Sequence, residues 1–246
     1  MKILLATSNP HKISEIRHIW ATEAKRPGAS SLSVQLLSLA DLDPRPTEPV
    51  EDQDTFRGNA TVKARHYASG TGLISLADDS GLEVAALGGD PGVRSARYAS
   101  AQGPRDQIDR ANNRLLLVKL GQLPASQRTA RFVCAMVVCV PLQDDRSGSV
   151  STRAPGADAG EPDVLAAAEA TVQGRILGPG DLGYGLDRPQ GRGDGGFGYD
   201  PLFLLPSVGL TTAELSRQQK NRISHRGHAA RKIWRQLVSW TSARPH

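Results

Sequence analysis

Short apolar runs alternate with amphipathic segments through the first half of this 246-residue chain, and this alternation limits the fold more than any other feature. The run 2–6 (KILLA) predicts a buried strand, and the apolar residues after it recur at helical spacing. Longer apolar runs at 129–140 and 165–177 predict two strands that pair with each other. We therefore expect a mixed α/β fold with a long central sheet and two lobes, and a cleft between the lobes as the natural ligand site.

The other helices and strands are predicted from hydrophobic periodicity, capping residues and turn residues. Asn9 is a suitable N-cap and Pro10 a suitable first residue for the first helix. Further strands are predicted at 34–39, 73–77, 82–87 and 198–206, and further helices at Thr55–Ser69, 105–120, 212–215 and Ser224–Trp240. The stretch 142–163 is rich in Gly, Ser, Pro and Asp, so we expect a flexible insertion within a single domain that spans 1–246.

Composition restricts the possible partners. The net charge of +5 favours anionic ligands, but no run of five or six basic residues predicts a nucleic-acid tail. Cys134 and Cys139 point to opposite faces of one predicted strand, so we expect two buried free thiols in a reducing cytoplasm. Neither a signal peptide nor a membrane span is evident, and we expect a cytoplasmic protein with no membrane or nucleic-acid partner.

Two polar segments follow predicted strands in the first half. In ATSNPHK (6–12), a strand leads into a helix N-terminus, where backbone N–H groups and Lys12 would attract an anion; the alternative is an ordinary capped helix. In ADDSG (77–81), Asp78 and Asp79 end an apolar run before an expected Ser-Gly turn. These acids could hold Mg²⁺ or orient a water molecule, or one could cap the turn while the other is solvated.

Two further segments could bind a nucleobase. In GGFGYDPLF (195–203), glycines allow a close backbone approach, Phe197 could stack on a base and Asp200 could bond its polar edge or a metal; otherwise Phe197 is a core residue beside a tight turn. In KNRISHRG (220–227), basic side chains gather at a predicted helix start. Positive charges there oppose the helix dipole, and this conflict favours the presence of an anionic or electron-rich ligand. The alternative is a solvated basic helix end.

Taken together, these segments supply the parts that a nucleoside triphosphate hydrolase needs: a phosphate cradle, paired acids, a stacking aromatic and a basic clamp. LLATSNPHKISEI, TFRGNATVKARHYA, ADDSGLEVAALGGDPGVRSARYA, GGFGYDPLFLLP and AELSRQQKNRISHRGHA closely resemble the inosine/xanthosine triphosphate pyrophosphatase family, over about 1–140 and 164–240. The resemblance implies an elongated two-lobed α/β homodimer with a nucleotide cleft. It also implies Mg²⁺-dependent cleavage of ITP, dITP and XTP to the monophosphate and pyrophosphate.

The resemblance also implies a role for individual residues. Asp79 would be the proton acceptor and a metal ligand, with Glu51 as a second metal ligand. Phosphate and substrate contacts would come from Thr7, Ser8, Asn9, Pro10, His11, Lys12, Lys63 and Ser80. The base would be recognised by Phe197, Gly198, Tyr199, Asp200, Lys220, His225 and Arg226.

The chain departs from the family pattern in three places. Ser8 stands where a glycine is common, and 142–163 and 178–194 are longer than usual. Two other functions remain alternatives at this point. One is a Maf-type pyrophosphatase acting on modified pyrimidine nucleotides or dTTP, against which the GGFGYDP and SHRG segments argue. The other is a nucleic-acid binding module, which the scarcity of aromatic residues among the basic ones disfavours.

Overall fold

The computed structural model describes residues 1–27, 32–141, 163–182 and 191–243, and the side chains of Pro179 and Leu182 are left out of account. The described chain folds as two compact units. The first unit contains 1–79, 135–169 and 229–246, and the second contains 80–134 and 170–228, each within the described ranges. Most of the expected insertion, 142–162, and the centre of the second extra-length stretch, 183–190, lie outside the described residues.

A seven-stranded mixed sheet has the order β2-β1-β3-β4-β5-β6-β7. Its strands are β1 (Lys2–Leu5), β2 (Gln35–Ser38), β3 (Ile74–Val84), β4 (Thr129–Cys139), β5 (Val164–Ile176), β6 (Phe203–Leu205) and β7 (Leu210–Thr211). β1 runs parallel to β2 and β3, with Leu5 opposite Ser38 and Leu76, whereas β6 runs antiparallel to β5 and β7. β4 and β5 are neighbours, as expected, and the mixed α/β class is confirmed.

The helices are α1 (Pro10–Ala24), α2 (Phe56–Thr71), α3 (Arg105–Leu120), α4 (Pro179–Leu182), α5 (Arg217–Ile223) and α6 (His225–Ser242). Their ends follow local chemistry. α2 begins where the Thr55 hydroxyl accepts the Gly58 N–H and ends at Gly72, whose φ of 66° is the left-handed conformation that glycine adopts without strain. No helix in the described ranges is long and apolar enough to cross a membrane.

Two sequence predictions were wrong. Residues 73–77 and 82–87 do not form separate strands around a Ser-Gly turn, because β3 runs unbroken through ADDSG and only 85–87 form a 3₁₀ turn. Gly81 serves close packing: a Cβ atom there would lie 2.3 Å from Ser95 Oγ and 2.7 Å from the Gly92 carbonyl oxygen. In addition, 212–215 form a turn, and the short helix begins afterwards, at the Ser216–Gln219 capping box of α5.

Each unit has its own apolar core. In the first unit, Trp20 and Trp234 lie with ring centroids 5.5 Å apart, and the Trp20 indole donates to the Ala230 carbonyl oxygen. In the second, Phe132 and Phe203 pack at 4.3 Å among buried leucines of α3 and β3. The two cysteines are buried and do not form a disulfide with each other, as expected.

Candidate active site

The turn between β1 and α1 has the predicted capped geometry. Asn9 Oδ1 accepts the N–H groups of His11 at 2.9 Å and Lys12 at 3.4 Å, and the Asn9 N–H donates to Thr7 Oγ1. Pro10 is the first helical residue. The cap therefore binds two of the helix N–H groups expected to attract an anion. The exposed residues at this turn are Ser8, Pro10 and His11.

The two acids of β3 have different environments. Successive strand residues point to opposite faces, and accordingly Asp78 pairs with Lys12 of α1, whereas Asp79 lies against α2. The side chain of Asp78 is 1 % exposed and that of Lys12 14 %. Asp78 is therefore a buried ion-pair partner that links β3 to α1. The alternative in which one acid caps a turn and the other is solvated is wrong, because β3 runs through both acids and both are buried.

Lys63 lies at the centre of a charged cluster in the first unit. Its Nζ is 3.1 Å from Glu51 Oε2 and 3.5 Å from Asp79 Oδ1, and it donates to the Asp78 carbonyl oxygen at 2.9 Å. Burial opposes the charge on Lys63, but attraction to Asp79, Glu51 and Asp78 is stronger and raises its pKa. Lys63 is therefore a buried cation. By contrast, Asp52 and Asp54 in the preceding loop are exposed.

Asp79 has the electrostatic setting of a functional carboxylate. Burial raises its pKa above the usual range, and the charges of Glu51 and Asp78 raise it further, although Lys63 and Lys12 lower it. A buried acid with a perturbed pKa and defined charge partners is typical of an active site. Asp79 is thus suited to accept a proton.

Asn59 contributes to this cluster, and sequence reasoning missed it. Its Nδ2 donates to Asp79 Oδ2 at 3.2 Å, and its Oδ1 accepts the Gln53 N–H at 3.0 Å. This side chain is buried and links the loop that carries Glu51 to the strand that carries Asp79. Asn59 precedes Lys63 by four residues, so the two share one face of α2. The spacing of four residues between Asn59 and Lys63, a residue already singled out, was the available signal.

The residues predicted to hold Mg²⁺ match the donor chemistry of that ion. Glu51 and Asp79 supply carboxylate oxygens, and both lie within 3.5 Å of one cationic atom, Lys63 Nζ, so their charges converge. Mg²⁺ binds through one or two carboxylates and takes its other ligands from water and substrate phosphates. Among the described residues, no group of three or more His, Cys, Asp or Glu side chains is arranged to hold a metal ion. The fit is therefore to a two-carboxylate site.

A second polar cluster lies in the second unit, around Asp200. This carboxylate is 3 % exposed and accepts hydrogen bonds from the Phe197 N–H at 2.7 Å, the Thr212 hydroxyl at 2.7 Å and Lys220 Nζ at 2.6 Å. Both oxygens of Asp200 therefore have protein partners, an internal role that was not predicted, and its contact with a base edge or a metal stays a prediction. Asp200 holds the Phe197 loop against α5.

The basic residues of this cluster surround Phe197. Lys220 Nζ lies 5.0 Å and Arg226 Cζ 5.5 Å from the centroid of the Phe197 ring, within cation–π range. Arg226 also donates to Ser80 Oγ at 2.7 Å. Phe197 itself is half-buried, so it is not the core residue of the alternative interpretation.

His225 and the start of α6 complete the cluster. The His225 imidazole stacks on Phe132 with 4.8 Å between centroids, and Ser224 Oγ accepts the Gly227 N–H, which confirms the predicted cap. Lys220, His225 and Arg226 are 6 %, 6 % and 2 % exposed. The alternative of a solvated basic helix end is therefore wrong, because all three basic side chains are buried. Lys220 and Arg226 lie beside the Phe197 ring, and His225 stacks on Phe132. Tyr199 is buried, and its hydroxyl donates to the Ser95 carbonyl oxygen.

Comparison with known proteins places the chain in a family. The sequence model of the Ham1 family matches residues 3–236. A dITP/XTP pyrophosphatase of Exiguobacterium sibiricum is 39% identical over 240 residues, covering 98% of each chain. One of Thermus thermophilus is 40% identical over 233 residues, covering 95% of this chain and 90% of the relative.

Solved structures agree with the sequence matches. The HAM1 protein of Coxiella burnetii is 30% identical with a TM-score of 0.67, covering 99% of this chain and all of that one. A nucleoside-triphosphatase described as a dITP/XTP pyrophosphatase, from Mycobacterium abscessus, is 34% identical with a TM-score of 0.61, covering 93% and 95%. The recognition made from the sequence motifs is confirmed, and the chain belongs to the Ham1 family.

Proposed function

We propose that this protein hydrolyses non-standard purine nucleoside triphosphates, namely dITP, ITP and XTP, to the monophosphate and pyrophosphate. The observation that carries the proposal is the buried Lys63 cluster, in which a carboxylate with a raised pKa, Asp79, lies within 3.5 Å of a cation. The names of the relatives support the same reaction. Because these relatives are purine-nucleotide enzymes by name, the Maf-type alternative is not retained.

The phosphate chemistry is assigned to the first unit. Asp79 holds a water molecule and accepts its proton as the water oxygen bonds to the α-phosphorus. The bond from the α-phosphorus to the bridging oxygen breaks, and pyrophosphate leaves with that electron pair. Lys12 and Lys63 offset the negative charge that spreads over the phosphate oxygens. Asp79 and Glu51 would hold Mg²⁺, which would supply Lewis-acid stabilisation of the same charge.

Base recognition is assigned to the second unit. Hypoxanthine and xanthine present a 6-oxo acceptor, whereas adenine presents a 6-amino donor. Lysine and arginine side chains only donate hydrogen bonds, so Lys220 and Arg226 match the oxo group and would face adenine with unpaired donors. Phe197 offers a ring on which the base can stack. ATP is therefore the disfavoured nucleotide.

The proposal also covers the oligomeric state and the location of the enzyme. We propose a homodimer located in the cytoplasm, where the free nucleotide pool is available. Light scattering on the purified protein would give twice the monomer mass of 26.3 kDa if the homodimer is correct.

Product analysis tests the reaction itself. With ITP and Mg²⁺, ³¹P NMR should show IMP and pyrophosphate formed in equal amounts. Release of orthophosphate with IDP as the first product would contradict attack on the α-phosphorus. Omission of Mg²⁺ in the presence of EDTA should abolish turnover, and full turnover under that condition would contradict the metal dependence.

A further inference from the structure

Gly198, between Phe197 and Tyr199, has both of its backbone groups bound by side chains of α3. Its N–H donates to Asp109 Oδ2 at 2.8 Å, and its carbonyl oxygen accepts from Asn113 Nδ2 at 3.0 Å. Asp109 and Asn113 are four residues apart and therefore share one helix face. The Asp109 carboxylate and the Asn113 amide thus bind the backbone of one residue that lies more than 80 positions later in the chain.

The backbone conformation of Gly198 determines the direction of the chain next to Phe197. Gly198 has a φ of 62°, in the left-handed region, and no atom lies within 4 Å of the position that a Cβ would occupy. Gly198 therefore has no side-chain packing to fix its position, and the two hydrogen bonds of its backbone do so instead. Since a rotation at Gly198 would swing the Phe197 ring, the two bonds to α3 set where that ring lies.

Further hydrogen bonds hold the residues on either side of Gly198. The Phe197 N–H is bound by Asp200, which also binds Lys220, and the Tyr199 hydroxyl is bound by the Ser95 carbonyl oxygen. The face of Phe197 meets the charges of Lys220 and Arg226 at 5.0 and 5.5 Å. These distances depend on the loop keeping one conformation.

Asn113 is an unfavourable choice for stability alone. It is 5 % exposed, and its Oδ1 is buried with no hydrogen-bond partner among the described residues. A buried acceptor without a partner destabilises the fold, and an apolar side chain of similar size would avoid that penalty. The feature of Asn113 that an apolar residue cannot replace is its donor to Gly198.

We infer that Asp109 and Asn113 are positioning residues for nucleobase recognition, acting through Gly198 on the Phe197 ring. The inference rests on the proposed function, since it concerns the base that Phe197 would meet. It adds helix α3, which none of the sequence motifs singled out, to the elements that determine substrate choice. The two residues themselves need not touch the nucleotide.

Isosteric substitutions separate the hydrogen bonds from packing. Asn113→Asp removes the donor and places an oxygen against the Gly198 carbonyl oxygen, whereas Asp109→Asn keeps an oxygen that can accept the Gly198 N–H. Asp109→Ala removes that acceptor. Arg110→Ala, on the exposed side of α3 where Arg110 pairs with Asp106, is the matched control.

The readouts are kcat and KM for ITP and the ratio of kcat/KM between ITP and ATP. Asn113→Asp and Asp109→Ala should raise the KM for ITP by about tenfold, change kcat much less, and lower the ITP-to-ATP ratio, because a displaced recognition group mainly weakens correct binding. Asp109→Asn and Arg110→Ala should keep wild-type values.

Several results would overturn the inference. Folded Asn113→Asp and Asp109→Ala proteins with an unchanged KM and ratio would do so, as would an equal loss of kcat on both nucleotides, which indicates a general structural effect. If Asn113→Asp does not fold, the comparison of Asp109→Asn with Asp109→Ala decides, and equal kinetics of that pair would count against the role. Wild-type protein inactive on ITP would instead refute the proposed function.

Discussion

At the scale of single residues, Asp79 is a buried side chain whose proposed role as proton acceptor requires the ionised carboxylate. Asp79→Asn keeps the shape of the side chain but cannot accept a proton. Loss of a positioned general base typically lowers rates by about 10²–10⁴, so we predict a fall in kcat of that size. Steady-state kinetics with ITP measure it, with the exposed acid substitution Asp106→Asn as control. Near-full turnover by a folded Asp79→Asn protein would show that another group activates the water.

The same substitution should affect stability in a pH-dependent way. Because its pKa is raised above 3.8 in the fold, folded Asp79 binds its proton more tightly than the unfolded chain does. Ionised Asp79 therefore destabilises the fold at pH values above its folded pKa, and the cost vanishes below the unfolded value. In EDTA, Asp79→Asn should be at least as stable as wild type at pH 7.5, and any advantage should disappear as the pH falls below about 4.

Urea unfolding at the two pH values measures this difference. A fully folded Asp79→Asn protein that is clearly less stable than wild type at pH 7.5 would show that the ion pair with Lys63 outweighs the burial of the carboxylate. The comparison separates a residue kept for chemistry from one kept for stability.

At the scale of elements, β3 carries the acids, and its glycine is a packing residue. Gly81→Ala would push a methyl group into Ser95 Oγ and the Gly92 carbonyl oxygen, at 2.3 and 2.7 Å. Overpacking of this kind costs about 1–3 kcal/mol, so we predict a lower free energy of unfolding.

Gly70→Ala is the matched control for this prediction. Gly70 lies in α2, and a Cβ there meets nothing within 4 Å. Since alanine is the better helix former, the substitution should be neutral or stabilising by up to about 1 kcal/mol. Chemical denaturation of both variants gives the comparison, and equal effects of the two would contradict the close approach at Gly81.

Sequence patterns predicted most elements because capping and periodicity are local. The Asn9 cap, α3 and β4 fall within a residue or two of the expected bounds. ADDSG was misread as a turn because Ser and Gly are common in turns. The packing of Ser95 over Gly81, which explains this glycine within a strand, is a contact between residues 14 positions apart.

The residues of the proposed site could be predicted only where they lie in recognisable motifs. Asp79, Lys63, Lys220 and Arg226 were predicted in this way, whereas Asn59, Asp109 and Asn113 were missed because their partners come from other elements. The internal role of Asp200 was missed for the same reason. Hydrogen bonds between distant segments cannot be read from spacing along the chain.

At the scale of the whole molecule, the two units divide the proposed work. The first carries the acids and lysines assigned to the triphosphate, and the second carries the Phe197 cluster assigned to the base. The boundary between them falls within β3, where Asp79 is followed directly by Ser80, the residue bound by Arg226.

The most direct test of the central claim is kcat/KM for pyrophosphate release, measured with Mg²⁺ on ITP, XTP, dITP, ATP, dTTP and UTP. Because one unmatched hydrogen-bonding group in a site built for its partner can reduce kcat/KM by several orders of magnitude, we predict at least about a hundredfold preference for ITP, XTP and dITP over ATP. The pyrimidine nucleotides should be poor substrates. Equal values on ITP and ATP, or a preference for dTTP or UTP, would contradict the account.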